Sequence, residues 1–105
     1  MLPKFTPLAW NVTTNTTTAH VQVPASGNKT FFGRVSGTGA VTQTQAIYGS
    51  MDEVASGGVL LATLTLSGTT LAQDGVVMTA NYRYYYVVTT NTTGTGAKGE
   101  VYAIY

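Results

Sequence analysis

The sequence predicts an all-β fold: a single antiparallel β-sandwich, jelly-roll-like, with an extended N-terminal arm. Three observations point there. Threonine is the commonest residue and glycine is abundant at 12 copies; threonine suits the pleated, half-buried surface of a sheet and glycine supplies turns. Only 9% of residues are charged, against roughly 25% in a typical soluble domain, while the hydrophobic share of 44% is ordinary. No segment places apolar residues at i, i+3, i+4 and i+7 over the length that a helix needs.

A chain of 105 residues is one domain's worth of sequence. Residues 1–18 carry Pro3, Pro7 and the low-complexity run NVTTNTTT, and read as an extended arm or an edge strand. Residues 19–105 read as the sandwich domain. There, AHVQVPA alternates with Ala19, Val21 and Val23 on one face and His20 and Gln22 on the other, the period of a half-buried strand. A turn at ASGNK leads to the strand TFFGRVS, the glycine-rich SGTGA, the alternating VTQTQAIYG and a longer loop, SMDEVASGG. GVLLATLTLSG is the clearest strand, with Leu60, Ala62, Leu64 and Leu66 on one face. A turn around Gln73, Asp74 and Gly75 precedes VVMT, the aromatic run NYRYYYVVTT, a second glycine turn and VYAIY. Seven or eight short strands between turn signals describe a sandwich or jelly roll.

The stretch GTGAKG matches the G-x-G-x-x-G spacing of dinucleotide-binding loops. Such a loop must open a helix, whose N-terminal amides hold the phosphates. Here EVYAIY follows, β-branched and aromatic, so the match is accidental. A second copy explains the glycines. SGTGAVTQTQAIY (36–48) and TGTGAKGEVYAIY (93–105) share seven identical positions at an offset of 57. Both are expected to be hairpins, with Gly37, Gly39, Gly94 and Gly96 in their turns and Ala40 and Ala97 at equivalent corners.

Composition removes several function classes. Without cysteine there is neither a disulfide nor a thiolate-bound metal. Five dispersed basic residues and a net charge of +1 make no footprint for nucleic acid. MLPKFTPLAWNV lacks the apolar run of a secretory signal, and no segment has the ~20 apolar residues of a membrane helix. Sequons at Asn11, Asn15, Asn28 and Asn91 follow from asparagine set among many threonines. The single histidine, His20, shares a polar strand face with Gln22, and Asp52, Glu53, Asp74 and Glu100 show no catalytic or metal-ligand spacing. The expectation is a protein that is not an enzyme and has no catalytic residue, metal or cofactor.

The aromatics carry the remaining signal. Tyr82, Tyr84 and Tyr86 fall on one face of a strand, with Arg83, Tyr85 and Val87 on the other. One face as core is the plainest reading; a subunit interface, where tyrosine is enriched, and a sugar-stacking platform are the others. Trp10 either anchors the arm to its own sheet or meets a neighbour. The candidate interface residues are Phe5, Trp10, Tyr82, Tyr84, Tyr85 and Tyr86.

The succession VSGTGAVTQTQAIYGS, GVLLATLTLSGTT, DGVV and YRYYYVVTTNTTGTGA resembles small structural proteins of tailed-bacteriophage virions, over about residues 30–105. The resemblance implies a capsid decoration (cement) protein that binds the outer surface of the phage head through multivalent contacts. Its implied partner is the major capsid protein, with no nucleic acid and no membrane. It is expected to be a homo-oligomer, with a trimer suiting local three-fold positions, and to reside in the virion after assembly in the host cytoplasm. The alternatives are a tail, fibre or neck component, or a carbohydrate-binding β-sandwich module.

Overall fold

The computed structural model describes residues 4–23, 27–52 and 57–105. Pro3, the Ala25 and Ser26 part of the ASGNK turn, and Glu53 lie outside them. The protein is all-β and antiparallel. Its strands are β1 (Phe5–Val12), β2 (Thr16–Thr17), β3 (Asn28–Ser50), β4 (Val59–Thr79) and β5 (Tyr84–Ile104). They form a sheet in the order β1-β5-β3-β4, with β2 also paired to β5.

Three of these strands are too long to be straight. At ~3.3 Å per residue, the 23 residues of β3 would span roughly 75 Å. The longest dimension of the molecule is 38 Å. The sheet therefore folds over on itself, and the pairing shows where. Between β3 and β4 the register jumps from Ser36–Leu71 to Ala40–Thr69; between β3 and β5 it shifts on both sides of the Thr38–Thr95 pair. Positive φ angles cluster on this line, at Gly39, Thr70, Asn91, Gly94 and Gly96. At Gly94, φ is 115° and a Cβ would stand 2.6 Å from the Ala40 carbonyl oxygen, so only glycine fits.

The glycine segments are thus mid-strand corners, and the hairpins expected at Gly37, Gly39, Gly94 and Gly96 do not form. A hairpin reverses the chain within its own layer, whereas these bulges carry it into the other layer. The turn expected at Gln73, Asp74 and Gly75 is likewise absent: the three residues pair in order with Arg34, Gly33 and Phe32.

Cut at the corners, the sheet becomes two layers. The first runs β1, 97–104, 28–36, 71–79; the second runs β2, 84–91, 40–50, 59–69. Numbered along the chain, the eight segments read 1-8-3-6 and 2-7-4-5, the order of a jelly roll. Phe5–Val12, read from sequence as arm or edge strand, is an edge strand. Leu8, Ala9 and Val12 are buried in the common core, which makes β1 an integral part of the sandwich.

The sequence repeat at an offset of 57 does not place its two copies alike. Ile47 is fully buried where Ile104 is half-buried, and Ala103 is fully buried where Ala46 is half-buried, so the two copies turn opposite phases of the period-two pattern to the core. Thr38 and Thr95 pair at the bend, but Ala40 is exposed and Ala97 is buried, so the corners expected to be equivalent are not.

Between the layers, Phe31, Val35, Val41, Ile47, Tyr85, Val87, Val101 and Ala103 are fully buried. Two buried glutamines join them. Gln45 Nε2 donates to the carbonyls of Arg34 (3.2 Å) and Glu100 (3.3 Å) in the opposite layer and to Gln43 Oε1 (2.7 Å). Gln43 Nε2 donates to the Val12 carbonyl at 3.2 Å and to Thr92 Oγ1 at 3.0 Å. Room for both comes from glycine. A Cβ on Gly33 would overlap the Gln45 amide oxygen, and one on Gly99 would overlap that of Gln43.

Lys29 is 1% exposed. Its ammonium donates to the carbonyls of Ala80 (2.5 Å) and Gly27 (3.3 Å), and lies 6.0 Å from the Tyr85 ring centroid. Burial pushes its pKa below the ordinary lysine value.

Two outcomes follow. Gly33→Ala should cost about 1–3 kcal/mol by overpacking, and in the Gln45→Ala background it should cost less; a double-mutant cycle by denaturant unfolding measures the difference. Because the folded chain holds the Lys29 proton less tightly than the unfolded chain, stability should rise with pH from the lowered folded value towards ~10.4. Melting temperatures at mildly alkaline pH should show a smaller rise for Lys29→Met than for the unaltered protein.

Candidate functional site

In the first layer, Phe31, Gly33 and Val35 point to the core, so Thr30, Phe32, Arg34 and Ser36 point away from it. Pairing arranges the outward residues in rows across the strands. One row is Phe5, Ile104, Thr30, Val77; the next is Pro7, Tyr102, Phe32, Gly75; a third brings Glu100, Arg34 and Gln73 together. Trp10 joins beside the second row, its ring 6.1 Å from that of Tyr102, and Phe5 meets Tyr102 edge-on at 5.6 Å.

Phe5 and Trp10 are each 65% exposed and Val77 is 68% exposed. With half-buried Phe32, Tyr102 and Ile104 they make a continuous apolar and aromatic face. The outer face of an antiparallel sheet is ordinarily polar. A contiguous apolar patch of this kind marks an interaction surface.

The charges within this face are neutralised internally. Arg34 donates to Glu100 Oε1 at 2.7 Å, and the Tyr102 hydroxyl donates to Oε2 at 2.6 Å. Burial pulls the Glu100 pKa upward, but the hydrogen bonds from Tyr102 and Arg34, with the Arg34 charge, outweigh it and hold the value below the ordinary one. Burial and the neighbouring carboxylate push the Tyr102 hydroxyl up. Both carboxylate oxygens are thus taken by the protein. The face offers rings and methyl groups, and little with which to read a polar ligand.

The second layer's outer face is different. Thr42, Thr44, Thr63, Thr65, Thr90 and Thr93 line it through the pairs Thr44–Thr65, Thr44–Thr90 and Thr42–Thr93, a hydroxyl surface suited to water. At one end Tyr48 and Tyr86 stack at 5.1 Å, and His20 packs on Tyr86 at 4.4 Å. His20 is therefore no strand residue with a solvated ring; its Nε2 is buried against the tyrosines without a hydrogen-bond partner.

The candidate interface residues divide. Phe5 and Trp10 lie together on the first layer's outer face. Tyr84 is half-buried near His20, at 6.3 Å, on the other layer. Tyr82 is half-buried and packs edge-on against Tyr85. Tyr85 and Tyr86 are 0% and 2% exposed, so neither offers a surface for a partner. Tyr85 points into the core, where its hydroxyl donates to the Ala80 carbonyl at 2.8 Å and burial pushes its pKa up. Sequence reading missed Phe32, Tyr102, Ile104 and Val77. The signal was present in TFFGR and VYAIY, where both phases of a period-two pattern are apolar, so that one face must lie outside the core.

No protein-family model matches the chain, and no curated protein matches it. Among solved structures, a chain from "Structure of infectious bursal disease virus Gx strain" is similar at 12% identity and a TM-score of 0.45, over 99% of this chain and 33% of the other. The protein thus spans about a third of the length of that neighbour.

Glu100 sets an acid limit. With its folded pKa depressed, it contributes stability above the unfolded value of ~4.3, and this is lost as pH falls through the folded value. Glu100→Gln should lower the melting temperature at neutral pH and flatten its fall on acidification; parallel melts across the acidic range check both.

Proposed function

We propose that this protein is a non-enzymatic structural component of a virus particle, and specifically a capsid decoration protein that adheres to the outer surface of a tailed-phage head. The observation that carries the reading is the aromatic outer face of the first layer, set on a rigid sandwich with its carboxylate and guanidinium satisfied internally. Three further features support it. The jelly-roll strand order is one that capsid proteins use, along with lectins and cupins. The turn and strand motifs resemble those of small phage virion proteins. A surface with so little charge suits a protein that works packed among other subunits.

Attachment through residues 1–18 as a detachable arm does not fit the burial of Leu8, Ala9 and Val12, because deleting them would open the core. Contact is instead assigned to the side chains that β1 displays outward, Phe5 and Trp10, together with Val77 across the sheet. The major capsid protein is the partner. A glycan-binding role is less well supported, since sugar recognition calls for free carboxylates and Glu100, the carboxylate of this face, is occupied.

The test is attachment to purified shells. Phe5→Ala and Trp10→Ala should each weaken binding about 10–100-fold, the range of an interface hot spot, with little change in melting temperature. Thr63→Ala, on the hydroxyl face, should bind as the unaltered protein does. Quantitative mass spectrometry of particles should find copies comparable to those of the shell protein; a dozen or fewer would assign the chain to tail or neck. Unimpaired shell binding by both aromatic variants would overturn the assignment of this face.

A further inference from the structure

Two rings of the attachment face are placed by something other than the β ladder. Phe5 pairs with Ile104, yet its ring meets Tyr102 edge-on at 5.6 Å. Trp10 stands in the register break between Ala9 and Val12, where it and Asn11 together lie opposite Glu100. Both are exposed, and φ at Asn11 is 56°, so a bulge turns out an additional side chain here. The Trp10 ring also comes to rest on Tyr102, at 6.1 Å and 67°. Tyr102 is itself held. Its hydroxyl donates to Glu100 Oε2 at 2.6 Å, and Arg34 fixes the same carboxylate through Oε1, with Nη2 at 2.7 Å and Nε at 3.3 Å. Hydrogen bonds to a carboxylate are short and strong, and the Glu100 side chain is 9% exposed, which spares them from competition with water.

We propose, resting on the attachment reading, that Tyr102 is the positioning residue of this face: tethered to Glu100, its ring holds Phe5 and Trp10 in the orientation in which they meet the shell. A phenol anchored at both ends differs from an ordinary apolar ring. The backbone fixes its Cα between Pro7 and Phe32 in the second row, and the hydroxyl bond fixes its tip, so the ring cannot swing without breaking a charge-assisted bond. Edge-to-face contacts need the supporting ring at a defined angle. A fixed Tyr102 therefore narrows the orientations open to two side chains that are otherwise 65% exposed. Ordering such side chains at the moment of binding weakens association, and ordering them beforehand strengthens it. Apolar area alone does not call for a hydroxyl at this position, since phenylalanine would cover the same surface with no tether.

Trp10 is the only tryptophan in the chain, so its fluorescence reports the ring directly. The test is time-resolved anisotropy of the free protein, then shell binding, with Tyr102→Phe as the variant that keeps the ring and loses the tether. Restricted motion of Trp10 in the unaltered protein should give way to wider motion in Tyr102→Phe. Tyr48→Phe, which removes a hydroxyl from the other layer, should leave it restricted. Shell binding by Tyr102→Phe should fall about tenfold, the effect of ordering one or two side chains on binding. In a Trp10→Ala background the same substitution should weaken binding by less, because Tyr102 acts partly through that ring. Melting curves establish that each variant folds. Equal Trp10 motion in the unaltered protein and in Tyr102→Phe would overturn the proposal. An undiminished loss in the Trp10→Ala background would overturn it too, by making Tyr102 a contact residue. The anisotropy needs no particles. Shells that fail to bind the unaltered protein would sink the attachment reading and leave the tether to be judged by anisotropy; shells that bind it and Tyr102→Phe equally would sink only the positioning role.

Discussion

Everything in this fold depends on bending three neighbouring strands at one line. Without the corner, β3, β4 and β5 would form a flat ribbon roughly twice as long as the molecule, with its apolar face open to water. The line is built from backbone conformations that few residues tolerate: φ of 72° at Gly39, 115° at Gly94 and 65° at Gly96, with Asn91 and Thr70 also in the left-handed region. The bend must occur in all three strands at the same height, because a strand that continued straight would lose its pairing. That requirement accounts for glycine motifs at matching positions in β3 and β5, facing each other at Thr38–Thr95.

Once the sheet is folded, the layers must fit, and here the core departs from a purely apolar one. Gln43 and Gln45 occupy positions where alternation demands an inward residue, and they bond to backbone carbonyls of the opposite layer. A buried amide is stabilised by the hydrogen bonds that it makes; the donors here are met by strands that would otherwise touch only through side chains, while Gln45 Oε1 is buried without a partner among the described residues. The glycines opposite, Gly33 and Gly99, let the amides approach that closely. These contacts fix the sliding position of one layer on the other more sharply than interchangeable aliphatic side chains could.

The class of the fold was legible because it rests on composition and period. Period-two alternation in TFFGRVS, VTQTQAIY and ATLTL maps onto β3 and β4, and the buried positions follow it. The glycine segments were legible as places where the chain changes direction, but not as corners. A hairpin and a bulge draw on the same residues, and only long-range pairing decides which one forms. The same ambiguity misread Asp74–Gly75, a strong turn signal in isolation that β3 holds straight on one side. For the aromatics, sequence gave the alternation of Tyr84, Tyr85 and Tyr86 but not which layer they would join. It could not place Phe5 and Trp10 against Tyr102, some ninety residues away, because that juxtaposition exists only through the β1–β5 register.

The outer faces differ in a way that folding alone does not require. Each presents the outward phase of a period-two pattern, and neither is covered by the other layer. A sandwich that needed only to fold could carry threonine on both, as the second layer does through Thr44–Thr65 and Thr44–Thr90; the first carries Phe5, Phe32 and Tyr102 at its outward positions. Rings left 65% exposed, as Phe5 and Trp10 are, gain little from burial within the chain. Their presence is explained by a surface that covers them, and that is the requirement on which the proposed attachment to a shell rests.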